Sequence, residues 1–168
     1  MKIFKLYYKN VIGYDFLHKF VFKETKHVPK LKEAVLTFCL KKYEIKRFLT
    51  LLVALKIISN VKFCGLIKSK FSITSSKMKR GEPIGSKIVL RKKKVSLFLL
   101  KLFSSIFSSK KKFKKNILSF KTRDILKFSE LEQNYQYFKN LPVLNVNLIF
   151  TSGKKDLILF LLKSYKLK

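Results

Sequence analysis

The stretch from Lys68 to Lys87 concentrates much of the polar chemistry that this chain offers. It reads Lys68-Ser69-Lys70-Phe71-Ser72-Ile73-Thr74-Ser75-Ser76-Lys77-Met78-Lys79-Arg80-Gly81-Glu82-Pro83-Ile84-Gly85-Ser86-Lys87. Ammonium and guanidinium groups neutralise phosphates, and serine and threonine hydroxyls add hydrogen bonds to phosphate or sugar. Two further runs, Arg91-Lys92-Lys93-Lys94 and Lys110-Lys111-Lys112-Phe113-Lys114-Lys115, add cations. Like-charge runs are commonly only solvated. These two bracket an apolar segment, so they lie near the ends of a folded element. Phe113 reads as a packing anchor in preference to a base-stacking platform.

Catalysis has little to work with. General acid–base chemistry needs a positioned carboxylate pair or a histidine with a partner. The 9 acidic residues are scattered among 39 Lys and Arg, where most will be ion-paired. Ser75-Ser76 has no base nearby in sequence, and Gly81 to Gly85 lacks the spacing of a phosphate-cradling Walker loop. His18 and His27 have no second ligand-type residue at metal spacing. Cys39 and Cys64 are far apart with apolar neighbours and read as buried free thiols. No catalytic residue, cofactor or metal site is expected.

The formal net charge is +30, and hydrophobic residues still make up 48% of the 168 positions. There is apolar material for a core, but a free domain of that charge repels itself and calls for a polyanion. RNA, DNA and an acidic membrane surface qualify. A spanning helix needs about 20 apolar residues. The run Phe48 to Leu55 is bounded by Lys46, Arg47 and Lys56, Val95 to Phe107 is broken by Lys101, and Leu157 to Leu162 is too short. No membrane span is expected. Lysine outnumbers arginine 35 to 4, a bias of AT-rich genomes such as those of organelles, parasites or endosymbionts. No arginine precedes Arg47, so an Arg-rich transit peptide is not visible. The joint expectation is a protein encoded and made inside an organelle.

The elements that must position these groups follow from periodicity. Phe4, Tyr8, Ile12, Phe16 and Phe20 recur every fourth residue and predict a helix over 1–23. Pro29 opens a strand in which Ala34, Leu36 and Phe38 alternate with Val35 and Thr37. Lys42 to Ser59 reads as a helix with Phe48, Leu52, Leu55 and Ile58 or Ser59 on one stripe. Phe63 to Ile73 looks extended, with Cys64, Leu66, Phe71 and Ile73 as apolar members. Thr74 to Glu82 is a protruding polar loop, and the two glycines flanking Pro83 mark a shaped turn. A strand over Ser86 to Arg91, a helix over Val95 to Ser105 and a basic loop over Ser108 to Lys115 follow. Leu118 to Phe128 is extended and ambiguous. Leu144 to Phe150 alternates as a strand. Thr151 or Ser152 caps a last helix, with Asp156 in its first turn and Leu157, Phe160 and Leu161 buried. The order favours an α+β fold, an antiparallel or mixed sheet with helices on one face and the basic loop protruding. No long linker or repeat appears, so one domain over 1–168 is expected.

The segment Lys79 to Arg91 resembles the signature of the universal large-subunit ribosomal protein L-five family. That signature is a Gly-x-Pro-Ile-Gly-x-Lys-x-x-Leu-Arg core preceded by a basic loop. Val28-Pro29-Lys30-Leu31 is similar to the family's first strand and Tyr7-Tyr8-Lys9 to its N-terminal helix. Phe128-Ser129-Glu130-Leu131 resembles its Phe-Pro-Glu-Ile turn with Ser in place of Pro, and Leu144 to Leu162 its last strand and helix. Ser75-Ser76 replaces a Gly-Phe of the family loop, and the region between Phe107 and Asn116 is shorter, with Lys110 to Lys115 as a substitute. The resemblance implies a mitochondrial ribosomal protein of the matrix, without catalysis, in the central protuberance. It implies binding to 5S rRNA where the organelle has one, otherwise to other large-subunit rRNA. It further implies contact with the P-site tRNA, and neighbours that include a small-subunit head protein. On that reading Lys62, Lys68, Lys70, Lys87, Arg91, Lys92, Lys93, Lys110, Lys111 and Lys112 bind rRNA. Ser75, Ser76, Lys77, Met78, Lys79 and Arg80 contact tRNA, and Gly81, Pro83 and Gly85 shape the turn. A generic nucleic-acid-binding module and a basic peripheral membrane protein are the rival readings.

The charge beside so many aromatics predicts that the isolated chain is poorly soluble and gains order on binding RNA. Circular dichroism and light scattering with and without rRNA check this. A monodisperse, fully folded free protein at low salt contradicts it.

Overall fold

A computed structural model describes residues 6–22, 24, 27–42, 44–72, 74–76, 78–104, 112–151 and 154–165. Its centre is strand β1 (Leu31–Cys39), where Ala34, Leu36 and Phe38 point to one side and are fully buried. β1 pairs antiparallel with β3 (Pro83–Arg91) on one flank and β6 (Leu144–Phe150) on the other. β2 (Gly65–Lys68) extends the first flank, and β5 (Ile117–Thr122) with β4 (Lys112–Lys114) the second. The order is β2-β3-β1-β6-β5-β4, and every pairing is antiparallel. The expected α+β class stands, with its antiparallel alternative realised.

Register aligns the apolar positions. Leu36 faces Ile88 and Val146, Ala34 faces Leu90 and Leu148, and Leu118 and Phe120 continue the same face. Helices cover this side. α2 (Ile45–Ser59) buries Phe48, Leu51, Ala54, Leu55 and Ile58, three or four residues apart. The expected stripe is corrected by one position, because Leu51 faces inward and Leu52 is only half-buried. Asn60 ends this helix in the left-handed conformation, φ 51°, a position where Asn stands in for Gly. α3 (Lys93–Ser104) contributes Val95, Phe98, Leu99 and Leu102. α6 (Lys155–Ser164) contributes Leu157, Ile158, Leu161 and Leu162.

The N-terminal stripe repeats every four residues, whereas an α-helix turns every 3.6. The described segment resolves the mismatch with a wider π turn over Tyr8–Ile12 before α1 (Gly13–Lys19). Ile12 and Phe16 are thereby both fully buried. The helix ends at Phe20, short of the expected 23. Phe16 and Phe20 meet Phe160 of α6 edge-on, at 4.8 and 5.5 Å between ring centroids. Tyr8 donates its hydroxyl to the Pro29 carbonyl at 2.9 Å, and burial pushes its pKa up to about 12.

Several local expectations are corrected. Of the extended run 63–73 only Gly65–Lys68 is strand, and Phe63, Leu66 and Phe71 are exposed. β2 is an edge strand, so period alone did not secure burial. The basic stretch before Asn116 contains β4, because Lys112, Phe113 and Lys114 pair with Ser119, Leu118 and Ile117. Phe113 is partly buried against the core, as a packing anchor should be. Two short helices, α4 (Ser129–Glu132) and α5 (Tyr135–Phe138), fill a region to which periodicity assigned no element. Thr151 does not cap α6, which begins after Lys154. It locks the start of β1 instead: its Oγ1 accepts the Lys30 N–H and its own N–H donates to the Lys30 carbonyl, both at 2.9 Å. Ser152 and the run 105–111 lie outside the described residues. Cys39 is exposed and Cys64 half-buried, contrary to the buried thiols expected, because Cys39 falls on the uncovered side of β1. Partial burial still raises both thiol pKa values, with Lys56 opposing at Cys64, so neither is an activated thiolate.

The glycines of the Pro83 motif do different work. Gly81 has φ +91°, a conformation cheap only for glycine. Pro83 and Gly85 are not in a turn but in β3. Gly85 pairs with Cys39 so closely that a Cβ would sit 2.2 Å from the Phe38 carbonyl oxygen. Gly85→Ala should therefore cost at least about 3 kcal/mol by forcing β1 and β3 apart. Gly81→Ala, in open space, should cost about 1–2 kcal/mol from its backbone alone. Denaturant unfolding of the two variants checks this, and equal costs would refute the assignment of two separate causes.

One lysine ties three elements together. Lys101 of α3 donates to the carbonyls of Ile57 (3.4 Å) and Ile58 (3.0 Å) in the last turn of α2, and pairs with Glu130 of α4 at 2.7 Å. A cation at a helix C-terminus satisfies orphan carbonyls and meets the helix dipole. Burial pushes the Glu130 carboxyl up. Hydrogen bonds from Lys101, the backbone and Ser129, with the Lys101 charge, pull it down further, so it lies below the ordinary carboxylate value. A lowered folded-state pKa stabilises above the unfolded value, and the benefit is lost as pH falls through the folded one. Glu130→Gln should therefore depress the melting temperature most near neutral pH and progressively less in acid. A difference from wild type that does not change with pH would contradict this ion pair.

Candidate nucleic-acid interface

Because helices cover one side of the sheet, the side chains of the other side form an open face. Register lays them out in rows. Lys87, Thr37, Asn145 and Lys121 form one row across β3, β1, β6 and β5. Val89, Val35, Asn147, Ser119 and Lys112 form the next, and Arg91, Glu33, Ile149, Ile117 and Lys114 the third. The first row is thus polar at its middle with a lysine at each end, the second carries Asn147 and Ser119 beside two valines and ends in Lys112, and the third ends in Arg91 and Lys114. Lys87 and Lys121 stand three strand spacings apart, about 14 Å.

The face is hollowed. Thr37, Ser119, Lys121, Asn145 and Asn147 line the floor, and Lys41, Arg47 and Arg123 stand among the rim residues. Among the described residues, Asn145 and Asn147 make no side-chain hydrogen bond, and Lys87, Lys112 and Lys121 have no ion-pair partner. Arg47 of the rim is partly neutralised by Glu44 at 2.9 Å, and Arg91, on the face but outside the hollow's lining, by Glu33 at 3.0 Å. Amides and hydroxyls can meet ribose 2′-hydroxyls and base edges while flanking ammoniums meet phosphates, which is how the wide minor groove of an RNA helix is contacted.

The loop between β2 and β3 is closed at its base by backbone bonds. The Ser69 N–H donates to Glu82 O at 2.8 Å and the Gly81 N–H to Ser69 O at 3.0 Å. The Glu82 carboxylate accepts the Lys79 N–H at 2.9 Å and so ties down the turn. Thr74–Ser76 forms one 3-10 turn, with Ser75 exposed, and Lys79 and Arg80 are exposed. Met78 is turned inward, only 8% exposed. Lys77 lies outside the described residues.

The ten cations singled out from sequence do not form one patch. Lys87, Arg91 and Lys112 share the open face. Lys68 ends β2, Lys62 and Lys70 flank it, and Lys92 and Lys93 follow β3, all exposed. Lys110 and Lys111 lie outside the described residues. Sequence reasoning missed Thr37, Ser119, Lys121, Asn145 and Asn147. The signal for the last two was present, because in Leu144-Asn145-Val146-Asn147-Leu148 the residues opposite the apolar ones are amides.

Among the described residues there is no group of three or more His, Cys, Asp or Glu able to hold a metal, and no helix long and apolar enough to cross a membrane. No family model matches the chain. It is similar to the large ribosomal subunit protein uL5m of Reclinomonas americana, 27% identical over 92% of this chain and 91% of that one. It is also similar to the large ribosomal subunit protein uL5 of Blochmanniella floridana, 34% identical over 58% of this chain and 52% of that one. The first likeness runs through almost the whole sequence, and the Gly81 to Arg91 signature sits in β3 beside the central strand. Both relatives carry the uL5 name, and the two likenesses together support assignment of the chain to the uL5 family of ribosomal proteins.

Proposed function

We propose that this protein is a structural, non-enzymatic constituent of the large subunit of a mitochondrial ribosome, encoded in the organelle, and that its open sheet face binds rRNA. The observation that carries the reading is the row of Lys87, Thr37, Asn145 and Lys121, polar at the centre and cationic at both ends. The relatives' names supply the ribosome, and the charge of +30 supplies the need for a polyanion. In the finer reading the rRNA is 5S rRNA in the central protuberance where the organelle has one. The loop over 74–82 then touches the P-site tRNA, and a small-subunit head protein is a neighbour. Exposure of Lys79 and Arg80 on a loop whose base is hydrogen-bonded supports a contact to a moving partner. The chain acts as one domain, with the face and the loop on the same sheet.

Two triple variants separate these roles. Lys121→Ala with Asn145→Ala and Asn147→Ala should lower rRNA affinity and occupancy in purified large subunits. Each phosphate-contacting lysine removed should reduce the salt slope of binding by about 0.7–0.9. Lys77→Ala with Lys79→Ala and Arg80→Ala should leave occupancy nearly intact and speed P-site tRNA dissociation, most at raised salt. If the loop variant loses occupancy while tRNA retention per assembled ribosome is unchanged, the loop is an rRNA anchor. If the sheet-face variant binds rRNA as wild type does, the open face is not the interface.

A further inference from the structure

A second hollow adjoins the open face. It lies between the turn Ile125–Lys127 and the helices α4 and α5, and it shares Arg123, Asp124, Lys127 and Leu141 with the first. Its volume is about 680 Å³. That lies within the roughly 300–1,000 Å³ of pockets that take small organic ligands. The lining combines three kinds of surface. Phe138 and Leu141 give an apolar patch, with Phe138 almost wholly buried. Tyr135, also in the lining, is 54% exposed. Arg123, Lys127 and Lys139 bring positive charge. Asp124 is paired with Lys127 at 3.0 Å, which leaves Glu132 as the second carboxylate of the lining.

We infer that this hollow receives one unpaired nucleotide of the RNA held on the open face. A base extruded from a helix needs a flat apolar or aromatic surface against its ring, cations for its phosphates and a polar group for its edge. Tyr135 supplies the first, Arg123 and Lys139 the second, and Glu132 the third. A carboxylate accepts from an exocyclic amino group, so adenine, cytosine or guanine suits the hollow better than uracil. A helix lying on Asn145 and Lys121 reaches the hollow directly, because Arg123 follows β5 and lines both concavities. A protein side chain is the less suitable occupant, since the phosphate-binding cations would then go unused. The subsite rests on the reading of the open face as the rRNA surface.

The test uses the full-length chain with two RNA hairpins, one fully paired and one carrying a single unpaired adenosine, which 2-aminopurine replaces for fluorescence. Wild type should prefer the bulged hairpin and quench the probe by stacking. Tyr135→Ala should abolish the quenching and the preference, a loss of roughly ten- to hundredfold on the bulged hairpin alone. Tyr135→Phe should keep both, because the ring remains. Circular dichroism confirms that each variant is folded. Asn145→Ala with Asn147→Ala is the control for the face, and should weaken both hairpins alike. If the control weakens both but wild type shows no preference, or Tyr135→Ala changes nothing, the nucleotide subsite is wrong and the face survives. If the control changes neither, the reading of the face fails first. Retained quenching in Tyr135→Ala would overturn stacking on that residue.

Discussion

Antiparallel strands with a two-residue alternation divide this molecule into a dry side and a wet side, and the rest depends on that division. Ala34, Leu36 and Phe38 of the central strand are fully buried, and their cross-strand partners Ile88, Leu90, Val146 and Leu148 nearly so. A slip of one residue would exchange the two sets. Gly85 and the Thr151–Lys30 bonds act on that register from opposite ends of β1. Gly85 lets β3 approach without a side chain in the way, and the Thr151 bonds anchor the first turn of chain before β1.

Burying one side at this net charge has a consequence. Lysines must go somewhere, and almost all go to the surface. Lys101 is the informative exception, at 25% side-chain exposure inside the helical layer. Two carbonyls and a carboxylate surround its ammonium group there. The same residue breaks the apolar run that would otherwise have read as a longer hydrophobic segment. Elsewhere a few cations are paired, but 39 Lys and Arg far outnumber the 9 acidic residues. Self-repulsion then weakens the free fold, and a bound polyanion would relieve it.

The open face and the loop answer different mechanical demands. A face built on hydrogen-bonded strands holds its donors at fixed spacing, which suits a partner that never leaves. A loop closed at its base by Ser69, Gly81 and Glu82 can present Lys79 and Arg80 away from the sheet, which suits a partner that comes and goes. Met78, just before them, is turned inward.

The sequence by itself determined the class of fold, the existence of the central strand and last strand, two of the covering helices and the want of a polyanion. Each of these depends on local periodicity or on summed charge, which need no knowledge of neighbours. The ungapped motif from Gly81 to Arg91 was legible for the same reason. Only the tertiary structure decided which residues share the candidate interface. Thr37, Ser119, Asn145 and Lys121 are distant in sequence and become neighbours through strand order and register, which no single segment encodes. The edge position of β2 left Leu66 and Phe71 exposed despite their pattern, because burial depends on what lies alongside. The pairing of Lys112 to Lys114 with β5 was hidden by their charge, since a strand at a sheet margin needs only a partner's backbone. Gly85 was read as a turn residue. Its actual constraint is the approach of the Phe38 carbonyl across the strand pair, which appears only when both strands are in place.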